Sequence, residues 1–415
     1  MNLYLFIAKK IKSHGLSSTS NGIACVSVAI SIAVIIASVA ISGGFKKEIG
    51  KRAAGFSGEI LLTAPGADYM TDVYPLRTDL SYLPDIRNIP EVRSIYATAY
   101  RPGMIKSGDD VHGMMFKGVD STYRLDFFAD FLTEGSLPDF SGEKPADQIL
   151  ISGRLARMLG YSIGDRMTVY FVGEQVRARR FTISGLYDIQ LEDMDERLAI
   201  VDIRQIRRLN GWDDRESSCL EISTGGDGSR ASSRERARAY DAIGQIIMTK
   251  DSSEDAPVAV RCIDDIYPGL FDWLALLDLN VLVVMVLMMA VAGFNMISGL
   301  LIILFEKISM IGLLKALGMR TSGICRIFIC RGGGIVLKGM IWGNIAAISL
   351  LAIQKWFRPV TLNPENYFVN FVPVDLSIPD ILAINAAAFI LMLLIMIIPS
   401  LFIAGISPDR TIKVN

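Results

Sequence analysis

EKISMIGLLKALGMR, from Glu306 to Arg320, lies between two long apolar runs of the chain. A connection this short must stay close to the surface from which both runs emerge. Ile308, Ile311, Leu314 and Leu317 recur every three residues, a spacing that predicts one apolar side of a short helix. Glu306 and Lys307 stand at its start, and Gly312 and Lys315 fall within it. Gly318 is placed to close it, because glycine accepts the left-handed conformation that ends many helices. Such a helix can press on something outside a bilayer. Its stripe meets either a partner or the bases of the flanking spans, and spacing alone does not choose between them.

The flanking runs decide the fold class. The 415-residue chain is 51% hydrophobic with a formal net charge of −1, and its mean hydropathy is +0.39. The apolar residues are gathered into blocks. Asn21–Phe45, Leu279–Phe305 and Ile381–Ser407 hold no charged residue, and Gly332–Gln354 is interrupted only by Lys338. Each block exceeds the roughly 20 residues that carry a helix across about 30 Å of hydrocarbon. We therefore expect a membrane α-helical protein with four transmembrane helices, at 21–45, within 269–305 (a stalk and the second span), at 325–355 and at 379–404. An interfacial helix (1–20), an α+β domain inserted between the first two spans (46–268), the helix at 306–320, a short loop (356–378) and a tail (405–415) complete the division. The first run is much longer than the apolar core of a signal peptide, about 7–15 residues, which predicts a retained helix.

Basic residues orient the spans. Lys9, Lys10 and Lys12 precede the first, and Lys307, Lys315, Arg320, Arg326 and Arg331 oppose only Glu306 between the second and third. A basic excess marks the cytoplasmic side, which places both termini there. Lys46, Lys47, Lys51 and Arg52 argue the other way, but they head a long translocated domain, where the rule is weak.

Leu3, Phe6, Ile7 and Ile11 give the N-terminal segment an apolar face suited to the inner leaflet. In the outer domain, strands are expected at Val92–Tyr100, Gly113–Gly118, Gln148–Ile151, Met167–Val172, Arg179–Ser184, Leu198–Val201, Ser218–Ser223 and Val258–Cys262, with helices at Gly153–Leu159 and Arg234–Met248. Val172-Gly173-Glu174 reads as a hairpin turn and Gly225–Ser233 as a polar loop. The pattern predicts a two-lobed mixed sheet with helices on one side. From about Gly269 the chain is helical in period and enters the second span without a breaker, forming a stalk with Phe271, Trp273, Leu274 and Leu277. Trp273 is expected at the membrane interface. Gly269–Asp278 would project ~15 Å, far enough to carry a rigid-body movement outward.

Catalytic chemistry is absent from the sequence. There is no Walker A pattern, HExxH, GxSxG or CxxC. The two histidines, His14 and His112, are far apart, and the five cysteines lack metal-ligand spacing. No metal site, bound cofactor or nucleic-acid partner is expected. Cys219 and Cys262 either pair or remain buried thiols. The run Glu192, Asp193, Asp195 and Glu196 reads as a solvated acidic loop. Within the spans, Lys338 is either a functional charge or a side chain whose stem reaches the inner interface. Gly339 and Gly343, and Gly293 and Gly299 with Asn295 between them, are spaced for close helix contacts, within one subunit or between two. Gly332-Gly333-Gly334 reads the same way.

Several stretches together resemble the MacB/FtsX-like ABC transporter permeases, in particular the lipoprotein-releasing (LolC/LolE) branch. They are LFIAKKIKS (Leu5–Ser13), GSLPDF (Gly135–Phe140), ILISGRLARMLGYSIGDRMTVY (Ile149–Tyr170), FTISGLYD (Phe181–Asp188), AGFNMISGLLIILFEK (Ala292–Lys307), EKISMIGLLKALGM itself, LNPENYFVNFVPVDLSIPDIL (Leu362–Leu382) and IPSLFIAGISPDRTIKV (Ile398–Val414). The resemblance implies a MacB-like periplasmic domain on a protein of the bacterial inner membrane. It implies that Glu306–Gly318 is a coupling helix docking on a separately encoded ATPase, which holds the ATP and Mg. It also implies a second permease subunit, identical or not, and release of lipoproteins toward a periplasmic carrier. The alternatives within the superfamily are MacB-like efflux or export, and FtsX-like signalling to cell-wall hydrolases. One departure stands out: the branch member that recruits the carrier has an extended hairpin loop, whereas the turn at Val172–Gln175 is short.

Overall fold

The first long helix does not stop where the charges begin. The computed structural model describes residues 16–107, 110–173, 175–191, 195–224, 233–250 and 256–401. In it helix α1 runs Leu16–Ser57, twelve residues past the expected end at Phe45. Nothing between Phe45 and Ser57 breaks a helix, and three of the four cations there have partners. Lys46 pairs with Asp278, and Arg52 meets Glu48 one turn away at 3.3 Å. The helix ends before Gly58, whose φ of +73° turns the chain. The expected interfacial helix lies, over 1–15, outside the described residues, as do the tail 405–415 and most of the polar loop, 225–232.

Among the described residues, four helices are long and apolar enough to cross a membrane. They are α1 and three that follow the strand-rich region, whose own longer helices are α2 (Gly153–Leu159), α3 (Ile203–Asn210) and α4 (Ser233–Lys250). After these come α5 (Pro268–Glu306), the short α6 (Ile308–Ala316), α7 (Thr321–Phe357) and α8 (Ile378–Ile395). The fourth span, expected over 379–404, is interrupted at Met396 before a last turn at Ile397–Leu401, because Pro399 has no N–H for the carbonyl of Ile395.

Residues 16–47, 272–361 and 371–401 of the described chain form one compact unit. Its core is a line of α1 residues four apart, Ala24, Val28, Ile32, Ile36 and Ala40, clustered with Met296 and Leu300 of α5, Phe328, Val336 and Met340 of α7, and Met392 of α8. Residues four apart are neighbours on a helix surface, and the line drifts about 40° per step around α1.

The other unit holds residues 48–271 together with 362–370. The short loop expected over 356–378 contributes its middle to this unit, where Val369 is fully buried and Phe368 packs on the core. The strands are β1 (Ile60–Thr63), β2 (Leu76–Arg77), β3 (Val92–Ser107), β4 (Asp110–Val119), β5 (Leu132–Gly135), β6 (Gln148–Ser152), β7 (Arg166–Phe171), β8 (Arg177–Tyr187), β9 (Leu198–Asp202), β10 (Glu216–Ser217), β11 (Cys219–Thr224) and β12 (Ala259–Cys262). Ten of them form a sheet in the order β12-β1-β11-β3-β4-β9-β6-β8-β5, with β7 joining β3 and β8. It is mixed: β4 with β9 and β6 with β8 are parallel. The long β3 joins the two halves, pairing β11 through Val92–Thr98 and β4 through Ala99–Ser107. The sequence reading missed β1 because ILLT has no alternation. Ile60 and Leu62 enter one core and Leu61 another, so both faces are apolar.

Candidate functional site

The helix read first in the sequence is closed as its glycine requires. Gly318 has φ +85°. The N–H of Met319 donates to the Leu314 carbonyl at 3.0 Å and that of Gly318 to the Lys315 carbonyl at 3.0 Å, the paired bonds of a Schellman ending. At the other end Lys307 lies between α5 and α6, paired with Glu306 at 3.0 Å.

The predicted stripe, however, is not one face. Ile311 is fully buried in the core of the helical unit, with Leu314 and Met310 packed against it, and Gly312 is buried beside it. Leu317 is 75% exposed and Leu313 59% exposed. The cause is geometric: each three-residue step falls about 60° short of a full turn at 3.6 residues per turn, so four residues so spaced wind half-way round the helix. The outward face is instead Ser309, Leu313, Ala316 and Leu317, at i, i+4, i+7 and i+8. The inner face answers the question the spacing left open, by meeting the spans.

The stalk residues have defined neighbours. Trp273 meets Phe45 edge to face with ring centres 6.0 Å apart, Leu274 is buried, and Leu277 is half-buried. Asp278 accepts from Ser42 Oγ at 3.2 Å as well as from Lys46. In the other unit, Phe271 lies under the Arg236 guanidinium, 5.9 Å from its ring centre.

The glycines pack within one chain. A Cβ on Gly343 would lie 2.5 Å from the Ala29 carbonyl oxygen, and one on Gly339 2.7 Å from that of Cys25, so α7 touches the backbone of α1. A Cβ on Gly293 would lie 3.0 Å from Ile395, and one on Gly332 would strike Met396. Gly299 is buried in α5. Asn295 donates to Ser27 Oγ at 2.7 Å. Lys338 is on the exposed side of α7. A second polar link was missed: the amides of Asn344 and Asn385 exchange two hydrogen bonds at 2.8 and 2.9 Å, joining α7 to α8.

The strand-rich unit holds a charge pair that the sequence reading also missed. Lys117 and Glu221 are 0% and 1% exposed and 2.8 Å apart. Lys117 also donates to the carbonyl of Phe56 in the last turn of α1 and to Tyr123 Oη at 2.9 Å. A cation there suits the negative end of the helix dipole. Glu221 accepts from Thr98 Oγ1 and Tyr100 Oη, both at 3.0 Å. Burial, reinforced by Glu221, holds the Tyr100 and Tyr123 phenols well above their usual range. A signal existed: Lys117 and Glu221 are each the only charged residue in the strands expected at Gly113–Gly118 and Ser218–Ser223.

One alternative left open by the sequence is resolved here, and one expectation is corrected. Cys219 and Cys262 are free. They lie on strands flanking β1, opposite Thr63 and Ile60 at its two ends. Two strand spacings, about 9.6 Å, separate those strands, beyond the reach of a disulfide. Burial raises the Cys219 thiol, with Glu221 adding to it. Within the acidic run, Asp195 is only 3% exposed and Glu196 pairs with Arg154 at 2.7 Å, so these two do not form a solvated loop. Glu192 and Asp193 lie outside the described residues. Among the described residues, no group of histidine, cysteine and carboxylate side chains is arranged to hold a metal.

Residues 22–255 match the family model of the MacB-like periplasmic core domain, and residues 282–408 that of the FtsX-like permease C-terminal domain. The chain is similar to the lipoprotein-releasing system transmembrane protein LolC of Xylella fastidiosa (strain 9a5c), 24% identical over 93% of this chain and 92% of the relative. It is similar to the LolE protein of the same system in Haemophilus influenzae, 22% identical over 94% of this chain and 92% of the relative. Among solved structures, the periplasmic region of MacB from Actinobacillus actinomycetemcomitans aligns at 10% identity with a TM-score of 0.34, over 52% of this chain and 94% of that one.

Proposed function

This chain belongs to the family defined by the MacB-like periplasmic core domain, here followed by an FtsX-like permease domain, and from that premise we propose that it is the permease subunit of an ATP-driven transporter releasing lipoproteins from the bacterial inner membrane. The observation that carries the mechanism is the division of α6, with Ile311 and Leu314 anchored on the spans while Leu313 and Leu317 face outward. A rigidly seated helix with an apolar outer face suits a separately encoded ATPase, which would bind the ATP and Mg. Movement of α6 would pass to α5, from which it is separated only by Lys307. The substrate class follows from the names of relatives that match more than nine-tenths of the chain.

In this reading both termini and α6 are cytoplasmic and the strand-rich unit is periplasmic. Three of the four cations that oppose this orientation are engaged within the chain: Lys46 with Asp278, Lys47 with Asp375 at 2.8 Å and Arg52 with Glu48. The active unit would pair two permeases, identical or sister chains, with two ATPases and pass lipoprotein to a periplasmic carrier.

The test is to replace Leu313 and Leu317 together by glutamate. The expected result is an assembled permease that no longer binds or stimulates the ATPase, with lipoprotein accumulating in the inner membrane. Normal stimulation by the double variant would remove α6 as the docking element. Depletion of the chain without lipoprotein accumulation would transfer the reading to efflux or to cell-wall signalling.

A further inference from the structure

Arg52, near the C-terminal end of α1, is 3% exposed and gathers three segments distant in sequence. Its Nη1 is shared among the carbonyl of Ile189 at 2.7 Å, Oε1 of Gln190 at 2.8 Å and the carbonyl of Phe368 at 3.1 Å. Nε and Nη2 reach Glu48 Oε1 at 3.4 and 3.3 Å, and the guanidinium stands 5.2 Å from the centre of the Phe131 ring. The partners are unusual. Among the described residues only three non-glycine residues have positive φ, and two of them are Gln190 (+63°) and Phe368 (+59°). Backbone held in that region persists only where its surroundings enforce it. Both loops thus adopt a strained turn at the residue that offers its acceptor to the same guanidinium. Arginine suits this role, because its planar fork directs several donors at once and keeps its charge when buried.

The Phe368 segment is the strap between α7 and α8. It is closed by Leu362 N–H donating to the Asn370 carbonyl at 3.0 Å and pinned by the buried Val369. The Gln190 segment is the turn after β8, where the Ile189 N–H donates to Asp195 Oδ1 at 3.4 Å. We infer that Arg52 is a positioning residue that fixes the turn at 188–191 and the strap at 362–370 to the end of α1, so that the three segments keep one register. The segment after the first span and the link between the third and fourth spans are thereby held by one side chain.

The joint does not rest on the proposed transport function, but its consequence for transport does, so two measurements are needed. The first is hydrogen exchange on the full chain in lipid nanodiscs. Arg52→Met should speed exchange of the strap and turn amides about tenfold, since each would be left with strain and no return contact. Arg52→Lys, with one compact ammonium, should fall between. Gln190→Gly alters only the turn, removing the acceptor and relaxing the backbone, yet strap exchange should rise roughly threefold because Arg52 is less fixed. If Arg52→Met loosens β3 and β4 as well, Gln190→Gly decides. A strap that exchanges at the wild-type rate in Gln190→Gly overturns the joint. The second measurement is lipoprotein released per ATP hydrolysed with the partner ATPase, expected to fall at least about fivefold in Arg52→Lys while hydrolysis stays within about twofold, the pattern of lost coupling energy. An unchanged ratio overturns the transmitting role. A wild-type complex that releases no lipoprotein overturns the transport reading and leaves the exchange result to judge the joint alone.

Discussion

The two units of this chain bury polar groups by opposite rules. In the helical unit the interior contacts are glycines against backbone, Gly339 and Gly343 on α1, and neutral amides, Asn344 with Asn385 and Asn295 with Ser27. In the strand-rich unit the interior holds ionisable groups: Lys117 with Glu221, Arg52 and Asp195. The difference lies in the solvent. Hydrocarbon gives helices no hydrophobic reason to associate, so close van der Waals approach and neutral hydrogen bonds must do it. A domain in water gains enough from apolar burial to enclose a charge, provided that every donor and acceptor is matched.

Five substitutions probe that contrast. Lys117→Met leaves Glu221 buried and unpaired, and thermal melting of the full chain should show a loss of about 3–5 kcal/mol. Adding Glu221→Gln, which keeps an acceptor for Thr98 and Tyr100, should restore most of it. A single variant no weaker than the double would show that the pair is not coupled. Gly343→Val drives a side chain into the Ala29 backbone and should cost up to about 3 kcal/mol in SDS-induced unfolding, the scale of overpacking. Tolerance of valine would mean that α7 does not approach α1 this closely.

Asp195 tests the buried charge from the other side. Burial first, then the neighbouring Asp188, raises its pKa from 3.8 to about 7, against the lowering effect of backbone donors at 189–191. A carboxyl whose folded pKa lies above its unfolded value binds more protons when folded. Stability therefore falls as pH rises from about 4 to about 7 and is level above that. Asp195→Asn removes the dependence, so its advantage should be small at pH 4 and reach roughly 2 kcal/mol by pH 8, about half the formal value of the shift. Melting curves with the same pH slope in both proteins would contradict this. The smallest effect is expected for Asn385→Leu, about 0.6 kcal/mol, as is usual for hydrogen bonds between membrane helices. A loss as large as that of Lys117→Met would erase the contrast between the units.

Legibility followed the physics of each signal. Span locations were readable from the absence of charge over twenty or more residues, and the eight expected strands all correspond to strands. Helix ends were less readable: α1 continues through Lys46–Arg52, where Asp278 and Asp375, distant in sequence, pair with Lys46 and Lys47. The apolar face of α6 was misread because three-residue spacing drifts around a helix, and the choice between inner and outer sides depends on what packs there. Asp195 was read as solvated because a run of carboxylates carries no mark of which member turns inward.

The sequence by itself determined four membrane-crossing helices, a strand-rich insertion after the first and a glycine-closed helix between the second and third. These depend on local composition and on the preferences of single residues such as Gly318. Only the tertiary structure decided that Leu313 and Leu317 face outward, that Gly339 and Gly343 serve contacts within one chain, that Lys117 holds the end of α1, and that Arg52 ties that end to two distant loops. Each of those depends on groups far apart in the chain that meet only when it folds, and pairing at such distances leaves no periodicity along the sequence to read.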